Sequence, residues 1–166
     1  MQKLIKDGEV AANRWTVLKE ATGPEVLKVL LGKNLIVPLK FWKYYQAELQ
    51  DYAGEIAIWL NSDEDVSSIG DQLHSFSMIA LNFPVFSDGR SYSNARALRE
   101  HYKYKGEIRA IGDVLRDQLY YMSCCGFNAF ELRFDQDEEL CLQAFNEFKT
   151  QYQATTTEPV PLFRRR

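Results

Sequence analysis

Residues 76–99 read FSMIALNFPVFSDGRSYSNARALR and join a strand-like run to an amphipathic helix. The apolar run at 76–81 ends in a turn, and the spacing then predicts a helix over 92–102. In α/β proteins the junction that follows the carboxyl end of a strand is the usual place for a ligand. We therefore expect a functional site at this junction, built from Asp88, Arg90, Tyr92, Ser93 and Arg99.

The same alternation of strand and helix repeats along the second two thirds of the chain. Strands are predicted over 55–60, 76–81, 107–111 and 129–134, and helices over 65–73, 92–102, 113–122 and 137–152. Such alternation is typical of βαβ crossovers and a parallel sheet. The sequence thus predicts an α/β fold with a mostly parallel four-stranded sheet. The spacing allows an open sheet or part of a barrel, and we favour the open sheet.

The first 54 residues precede this repeat. Asp7-Gly8 lies between short apolar runs and predicts a β-hairpin over 2–18, whose second arm includes 14–18. A short helix is predicted over 24–32, and a longer one over 38–52. The aromatic stripe of the longer helix has helical spacing, so we interpret it as a core-facing surface.

Length and composition suit one globular domain. The chain has 166 residues, of which 46% are hydrophobic. We expect a single α/β domain over 1–153, made of an N-terminal hairpin at 1–20 and a βα-repeat core at 55–153. The composition changes at 154–166, which we expect to be a loosely held C-terminal tail.

Charge and hydropathy exclude several classes of protein. A formal charge of −3 argues against a nucleic-acid binder, which is usually basic. The apolar runs are shorter than the roughly 20 residues that a membrane span needs. The amino terminus lacks the pattern of a signal peptide. We therefore expect a cytoplasmic protein that binds neither nucleic acid nor a membrane.

Cysteine and histidine residues give no metal or redox motif. Cys124, Cys125 and Cys141 lack CxxC spacing, and His74 and His101 have no partner at ligand spacing. We therefore expect buried thiols and no metal site. We also expect no cofactor, because the sequence lacks a dinucleotide-binding fingerprint.

The turn at Asp88-Gly89-Arg90 allows two interpretations. Gly89 suits a positive φ, a nearby serine can cap the next helix, and the guanidinium group of Arg90 suits an anion. Alternatively, Asp88 and Arg90 pair with each other and fasten the loop. The sequence does not decide between an anion site and a structural pair.

A second polar group follows the third predicted strand. Arg109, Asp113, Asp117 and Gln118 are expected at the same edge of the sheet as the Asp88 turn, with Gly112 permitting close backbone approach and Asp113 capping the next helix. Converging carboxylates and arginines can exchange protons with a substrate, or form an ion-pair network, which we favour. Catalytic residues are not predicted. The candidate ligand-binding residues are Asp88, Gly89, Arg90, Tyr92, Ser93, Arg109, Asp113, Asp117 and Gln118.

Three motifs resemble a bacterial family, the domain of unknown function 934. They are FP-x-F-x-DGR-x-YS-x-AR-x-LR from Phe83, GE-x-RA-x-GDVL-x-DQ from Gly106, and CGF-x-AF from Cys125. The sequence departs from the family pattern at Ser91, Cys124 and Asn128, where glycine, arginine and aspartate are usual. Members are often labelled as oxidoreductases and are commonly encoded beside sulfite reductase. The resemblance therefore implies a role in assimilatory sulfur metabolism.

Three hypotheses about function follow from the residues and this resemblance. The first is an accessory protein of sulfite reduction that binds the reductase or its electron donor. The second is a small enzyme or sensor that binds a sulfur oxyanion or a nucleotide sulfate through Arg90 and Arg109. The third is a scaffold whose sheet forms a homodimer.

Overall fold

The computed structural model describes residues 3–20, 23–146, 154–156 and 158–164. Within these residues, eight strands form one mixed sheet. The strands are β1 (Leu4–Lys6), β2 (Glu9–Ala11), β3 (Trp15–Val17), β4 (Asn34–Pro38), β5 (Ile56–Leu60), β6 (Met78–Phe83), β7 (Glu107–Gly112) and β8 (Ala129–Glu131). Their order in the sheet is β2-β1-β8-β7-β6-β5-β4-β3.

Short helices connect the strands. The α-helices are α1 (Glu25–Val29), α2 (Leu39–Tyr44), α3 (Gln46–Gln50), α4 (Arg90–Arg96), α5 (Arg116–Cys125) and α6 (Glu138–Ala144). A 3₁₀ segment spans Val66–Ser75, and α4 continues into a π-helical turn at Ala97–His101. None of the helices in the described part of the chain has the length and apolar character that a membrane crossing requires.

Strands β3 to β8 are parallel to one another and follow one another in chain order, whereas β1 pairs antiparallel with β8 and with β2. Right-handed connections between sequential parallel strands place every helix on the same face of the sheet. On that face, strand residues such as Ile58, Ile79 and Leu81 share one buried cluster with Leu98 and Leu119 from the helical segments. The helices therefore cover one face of the sheet, and the other face forms the inside of the curl.

The prediction of a four-stranded open sheet is wrong, because the sheet has eight strands and curls into a half-barrel. The link between β2 and β3 explains the curl. These two strands lie at opposite edges of the sheet, yet only residues 12–14 separate them. A flat sheet would hold the edges roughly 34 Å apart at about 4.8 Å per strand. Four Cα steps span at most about 14 Å, so the edges must approach each other.

The N-terminal prediction is confirmed in part. Asp7 and Gly8 have φ angles of 50° and 84°, and β1 and β2 pair around them as a hairpin. Residues 14–18, however, do not belong to the hairpin, since β3 pairs with β4 at the far edge. The helix predicted over 38–52 is interrupted at Tyr45, where φ is −117° and ψ is 36°.

The inner face of the half-barrel has its own small core. Ile36, Ala57, Met78, Ala80 and Ile111 form a second buried cluster. Three partly buried residues pack against this cluster: Trp15, Val17 and Trp59. The two clusters correspond to the two faces of the sheet, as the alternation of side chains along each strand requires.

Arg109 is buried on this inner face, with 2% of its surface exposed. It lies beside Ala80 on β6 and Ala129 on β8 in the strand register. Large and small side chains thus alternate across neighbouring strands, which leaves room for the long guanidinium side chain. The centre of the half-barrel is therefore charged as well as apolar.

The three cysteines are buried and form no disulfide, as predicted for Cys124, Cys125 and Cys141. The C-terminal part of the chain contacts the body through Thr156, whose amide and hydroxyl groups both donate to the carbonyl of Cys124. Helix α6 begins after Asp137, the first residue of the helix predicted over 137–152, and the carboxylate of Asp137 caps it by accepting from the amide of Leu140. The predicted end of this helix and the boundary at 153 lie outside the described residues.

Candidate functional site

The carboxyl ends of the parallel strands form one rim of the half-barrel, and we call the cleft at this rim the mouth cleft. It has a volume of about 390 Å³. Its apolar wall is made of Val17, Trp59, Phe83, Pro84 and Ile111, and its polar lining comes from Lys19, Asn82, Asp113 and Glu131. Gly112 completes the lining. Apolar walls with a few polar groups are typical of small-molecule sites.

Glu131, the last residue of β8, is the buried acid of the mouth cleft, and 3% of its surface is exposed. Its Oε2 atom accepts a hydrogen bond from Asn13 Nδ2 at 3.0 Å. Among the described residues, no donor contacts its Oε1 atom. Burial raises the pKa of Glu131, while the Asn13 hydrogen bond and the charges of Arg109 and Lys19 oppose this rise. A buried carboxyl group beside a cleft, with one oxygen atom that accepts no hydrogen bond from the protein, is typical of a functional site.

A chain of polar contacts on the inner face holds Glu131 in place. Asn13 belongs to the link between β2 and β3, and its Oδ1 atom accepts from Arg109 Nη1 at 3.1 Å. Arg109 Nε donates to Glu107 Oε1 at 2.7 Å, and Lys6 pairs with the other oxygen of Glu107 at 2.7 Å. The positions of Asn13 and Glu131 are therefore fixed by contacts that join the link between β2 and β3 to β1, β7 and β8.

Gly112 allows the ends of β6 and β7 to meet at the mouth cleft. Its φ is +94°, and an added Cβ would lie 2.4 Å from the carbonyl oxygen of Phe83 and 2.5 Å from Asn82 Oδ1. That same carbonyl accepts from the amide of Asp113 at 2.7 Å. The prediction that Gly112 permits close backbone approach is confirmed.

Trp59 connects the end of β3 to the centre of the sheet. Its indole Nε1 donates to the carbonyl of Leu18 at 2.9 Å. The neighbouring residue, Lys19, is exposed and lines the mouth cleft. The backbone beside Lys19 is thereby held at the rim of the mouth cleft.

The Asp88 turn forms a separate structural group. Asp88 Oδ2 accepts from Arg90 Nη2 at 2.7 Å and from Ser62 Oγ at 2.6 Å, and Oδ1 accepts from Arg90 Nε at 3.0 Å. The Arg90 guanidinium, with help from Ser62, holds the pKa of Asp88 well below its usual range. These contacts match the interpretation of a pair that fastens the loop.

Two local predictions at this turn are wrong. Gly89 has a φ of −91°, because it occupies the residue before α4, so the turn needs no positive φ. No serine side chain caps α4, and Ser91 Oγ instead donates to the carbonyl of Asn82 at 2.7 Å. Ser93 lines a shallow depression beside Arg90.

Asp113 and Gln118 connect two loops at the mouth. Asp113 Oδ2 accepts from the amide of Phe86 at 3.0 Å, and Oδ1 accepts from Arg133 Nη1 at 2.8 Å. Gln118 Nε2 donates to the carbonyl of Phe86 at 2.8 Å. The prediction that Asp113 caps the helix is wrong, because α5 begins at Arg116 and Asp113 holds the neighbouring loop instead.

The other predicted residues lie away from the cleft. Tyr92 packs on Phe83 and Tyr121 with ring centroids 5.1 Å and 4.9 Å apart, and burial raises its pKa to about 12. Asp117 has 91% of its side chain exposed. Arg99 lies at the opposite rim, where it donates to the carbonyls before β7. The prediction that Arg99 lies beside the Asp88 turn is wrong.

The predicted group of Asp88, Arg90, Arg109, Asp113 and Asp117 thus divides into separate environments. Asp113 lines the mouth cleft, and Arg109 reaches Glu131 through Asn13. Sequence reasoning missed Lys19, Asn82 and Glu131. A signal for Glu131 was present, since it is a charged residue between Phe130 and Leu132 within a predicted buried strand.

The fold and the cleft define a βα-repeat half-barrel protein with a candidate ligand site at the carboxyl ends of its strands. The chain belongs to the family described as "Bacterial protein of unknown function (DUF934)", whose model matches residues 57–163. The resemblance drawn from the sequence motifs is confirmed. No curated protein and no solved structure matches the chain. The matched region includes Asn82, Gly112 and Glu131, whereas Asn13 and Lys19 precede it.

Proposed function

We propose that this protein binds a small polar molecule in the mouth cleft, with Glu131 as the central binding group. The observation that carries this proposal is the Oε1 atom of Glu131, which is buried beside the cleft without a donor among the described residues. An ionised carboxylate can accept several hydrogen bonds, and a buried acceptor without a partner costs about 1–3 kcal/mol. A ligand that donates to Oε1 would recover this free energy.

The position of the cleft supports the same proposal. In closed βα barrels the ligand sites lie at the carboxyl ends of the strands, where the loops can vary without disturbing the core. The mouth cleft occupies the corresponding end of this half-barrel, and its volume of about 390 Å³ lies within the usual range for small-molecule sites.

We propose further that this binding serves assimilatory sulfite reduction, with the protein as an accessory factor. The support is the family resemblance, which implies genes beside sulfite reductase. The alternative is a small enzyme or sensor for a sulfur oxyanion or a nucleotide sulfate. The Lys19 ammonium group supports an anionic group in the ligand, whereas the guanidinium groups of Arg90 and Arg109 are already bonded to Asp88 and Glu107.

A thermal-shift panel tests the binding proposal. The compounds are sulfite, sulfate, adenylyl sulfates, L-cysteine, NADH, NADPH and flavins. A ligand at a hundred times its dissociation constant adds about 2.7 kcal/mol, which raises the melting temperature of a chain of this size by roughly 5–10 °C. We expect at least one compound to stabilise the wild-type protein and Glu139→Gln, an exposed control, but not Glu131→Gln. Equal shifts in all three proteins would contradict the proposal.

An exposed apolar collar beside the cleft supports the partner-binding part of the proposal. Val85, Phe86 and Phe134 are 51%, 62% and 87% exposed. Asp113 contacts both the amide of Phe86 and the side chain of Arg133, so the two loops that carry these residues are neighbours. Exposed apolar surface of this kind often marks a docking site.

Binding of purified sulfite reductase to the immobilised protein tests this second part. We expect the double variant Phe86→Ser/Phe134→Ser to lower the affinity at least tenfold. Tyr44→Ser is the matched control, because Tyr44 is 82% exposed on α2. An unchanged affinity for the double variant, or no binding by the wild-type protein at low salt, would count against an accessory role.

A further inference from the structure

We infer that the ligand of the mouth cleft is a small amino-carboxylate, whose ammonium group donates to Glu131 and whose carboxylate group faces Lys19. This inference rests on the proposed function and names the class of molecule that the cleft accepts. It follows from two opposite charges that line the cleft and from the apolar wall of the same cleft.

The first charge is the carboxylate of Glu131. Among the described residues, no cationic group lies within 4.0 Å of it, because Arg109 turns its Nε atom to Glu107 and its Nη1 atom to Asn13. Asn13 Nδ2 supplies the one hydrogen bond that the carboxylate group of Glu131 receives from the described part of the chain. A buried carboxylate without an ion pair is costly, and a cationic donor in contact with it offsets that cost. An ammonium group is such a donor.

The second charge is the ammonium group of Lys19. Lys19 lines the cleft, and its charge opposes the rise in the pKa of Glu131, so the two groups share one environment. Within the described ranges, Lys19 forms no ion pair. The hydrogen bond from Trp59 to Leu18 fixes the adjacent backbone. Lys19 is therefore positioned to bind an anionic group that enters the cleft.

The arrangement selects between ligand classes. A dianionic oxyanion such as sulfate would meet the negative charge of Glu131 and cannot donate a hydrogen bond to it. A simple amine would leave Lys19 without a counter-charge. A molecule with one ammonium and one carboxylate group satisfies both residues, and Val17, Trp59 and Ile111 offer apolar contact to its side chain.

Isothermal titration of the full chain with a matched series tests the inference. L-cysteine carries both charged groups, 3-mercaptopropionate lacks the amine, and cysteamine lacks the carboxylate. We expect L-cysteine to bind, and each deletion to weaken binding roughly 10- to 100-fold, as is usual for a hydrogen bond to a charged group. Glycine and L-serine test whether the side chain adds affinity.

Variants assign each charged group of the ligand to its residue. Glu131→Gln should weaken the binding of L-cysteine but leave the binding of 3-mercaptopropionate unchanged. Lys19→Met should weaken the binding of L-cysteine but leave the binding of cysteamine unchanged. Lys28→Met is the control, because Lys28 is exposed on α1. Thermal unfolding verifies that each variant is folded.

The outcomes separate this inference from the proposed function. If sulfite or an adenylyl sulfate binds while glycine, L-serine and L-cysteine do not, the inference is wrong and the proposed function stands. If L-cysteine binds equally to the wild-type protein and to both cleft variants, the inference is also wrong. If no compound from either panel binds, both are wrong.

Discussion

At the scale of the single residue, Glu131 couples the stability of the protein to pH. Burial raises its pKa above the ordinary glutamate value of 4.5, so the folded protein holds this proton more tightly than the unfolded chain does. As the pH rises from 4.5 through the folded pKa, ionisation therefore removes stability. We expect the wild-type protein to lose stability relative to Glu131→Gln over this window.

Denaturant unfolding of both proteins between pH 4 and pH 7 measures this effect. The free energy of unfolding of Glu131→Gln, relative to that of the wild-type protein, should increase as the pH increases. A variant that is more stable at neutral pH yet has lost its ligand would be typical of a residue kept for function. A difference that does not change with pH would show that the carboxyl is not desolvated.

Gly112 gives a second prediction at the residue scale. Gly112→Ala should destabilise the protein by about 2–4 kcal/mol, because a Cβ is strained at positive φ and overlaps the carbonyl of Phe83. Gly8→Ala is the matched control, since Gly8 has a φ of +84° with nothing within 4 Å of its added Cβ. Chemical denaturation should give the control the smaller loss, and equal losses would exclude the close approach as the cause.

Predictions for single residues succeed where the neighbouring residues in the chain determine the backbone conformation. Gly126 ends α5 with a φ of +113°, as is usual for a glycine after a helix, and Asp65 caps the segment after β5, as is usual for an aspartate before one. The pair Asp-Gly has positive φ at residues 7 and 8 but not at Gly89. The same dipeptide behaves differently because a helix, and not a returning strand, follows Gly89.

At the scale of the elements, Arg99 joins a helix to the amino ends of two strands. Its guanidinium donates to the carbonyls of Tyr104, Gly106 and Gly126 and to Asn128 Oδ1. Arg99→Ala should cost about 2–4 kcal/mol, because several half-buried acceptors lose a charged donor. Arg99→Lys should recover little of this, since an ammonium group lacks the planar fork.

Arg90→Ala is the control for this prediction. Arg90 has 62% of its side chain exposed, so solvent screens its ion pair with Asp88, and Arg90→Ala should cost much less stability than Arg99→Ala. Chemical denaturation of the three variants compares the two arginines. A larger loss for Arg90→Ala than for Arg99→Ala would reverse the roles assigned to them.

Strands β5 to β8 were predictable because buried parallel strands are short apolar runs between helical segments. Strands β3 and β4 were not recognised as members of the sheet, because their residues resemble a hairpin arm and an isolated apolar run. The helix predicted over 65–73 is a 3₁₀ segment, and Gly70, with a φ of +69°, interrupts it. Periodicity locates such segments but does not distinguish one helix type from another.

At the scale of the whole molecule, the link at 12–14 closes the half-barrel and positions the site. Asn13 reaches Glu131, Arg109 and the amide of Trp15 from this link. Asn13→Ala should cost about 1–3 kcal/mol and should also weaken ligand binding, because Glu131 loses its positioning contact. Arg14→Ala, an exposed change in the same link, is the control for unfolding and titration experiments. If Asn13→Ala binds the ligand with unchanged affinity, the link does not position the site.

The curl of the sheet could not be predicted from spacing alone. A doubly wound sheet and a half-barrel share the same alternation of strands and helices, and they differ in strand order. Here the order is decided by contacts between distant residues, such as β1 with β8 and β3 with β4. For the same reason the sequence indicated the β6 junction as the site, whereas Lys19 and Glu131, 112 residues apart, form the cleft together.

A ¹⁵N NMR titration of the full chain, with the compound that gives the largest thermal shift, tests whether the mouth cleft is the ligand site. We expect concentration-dependent shifts of the backbone amides of Lys19, Gly112, Asp113 and Glu131, with little change at Asp88 and Arg90. We also expect Glu131→Gln to abolish these shifts. Shifts that centre on Asp88 and Arg90, or that persist unchanged in Glu131→Gln, would contradict a ligand site at the mouth of the half-barrel.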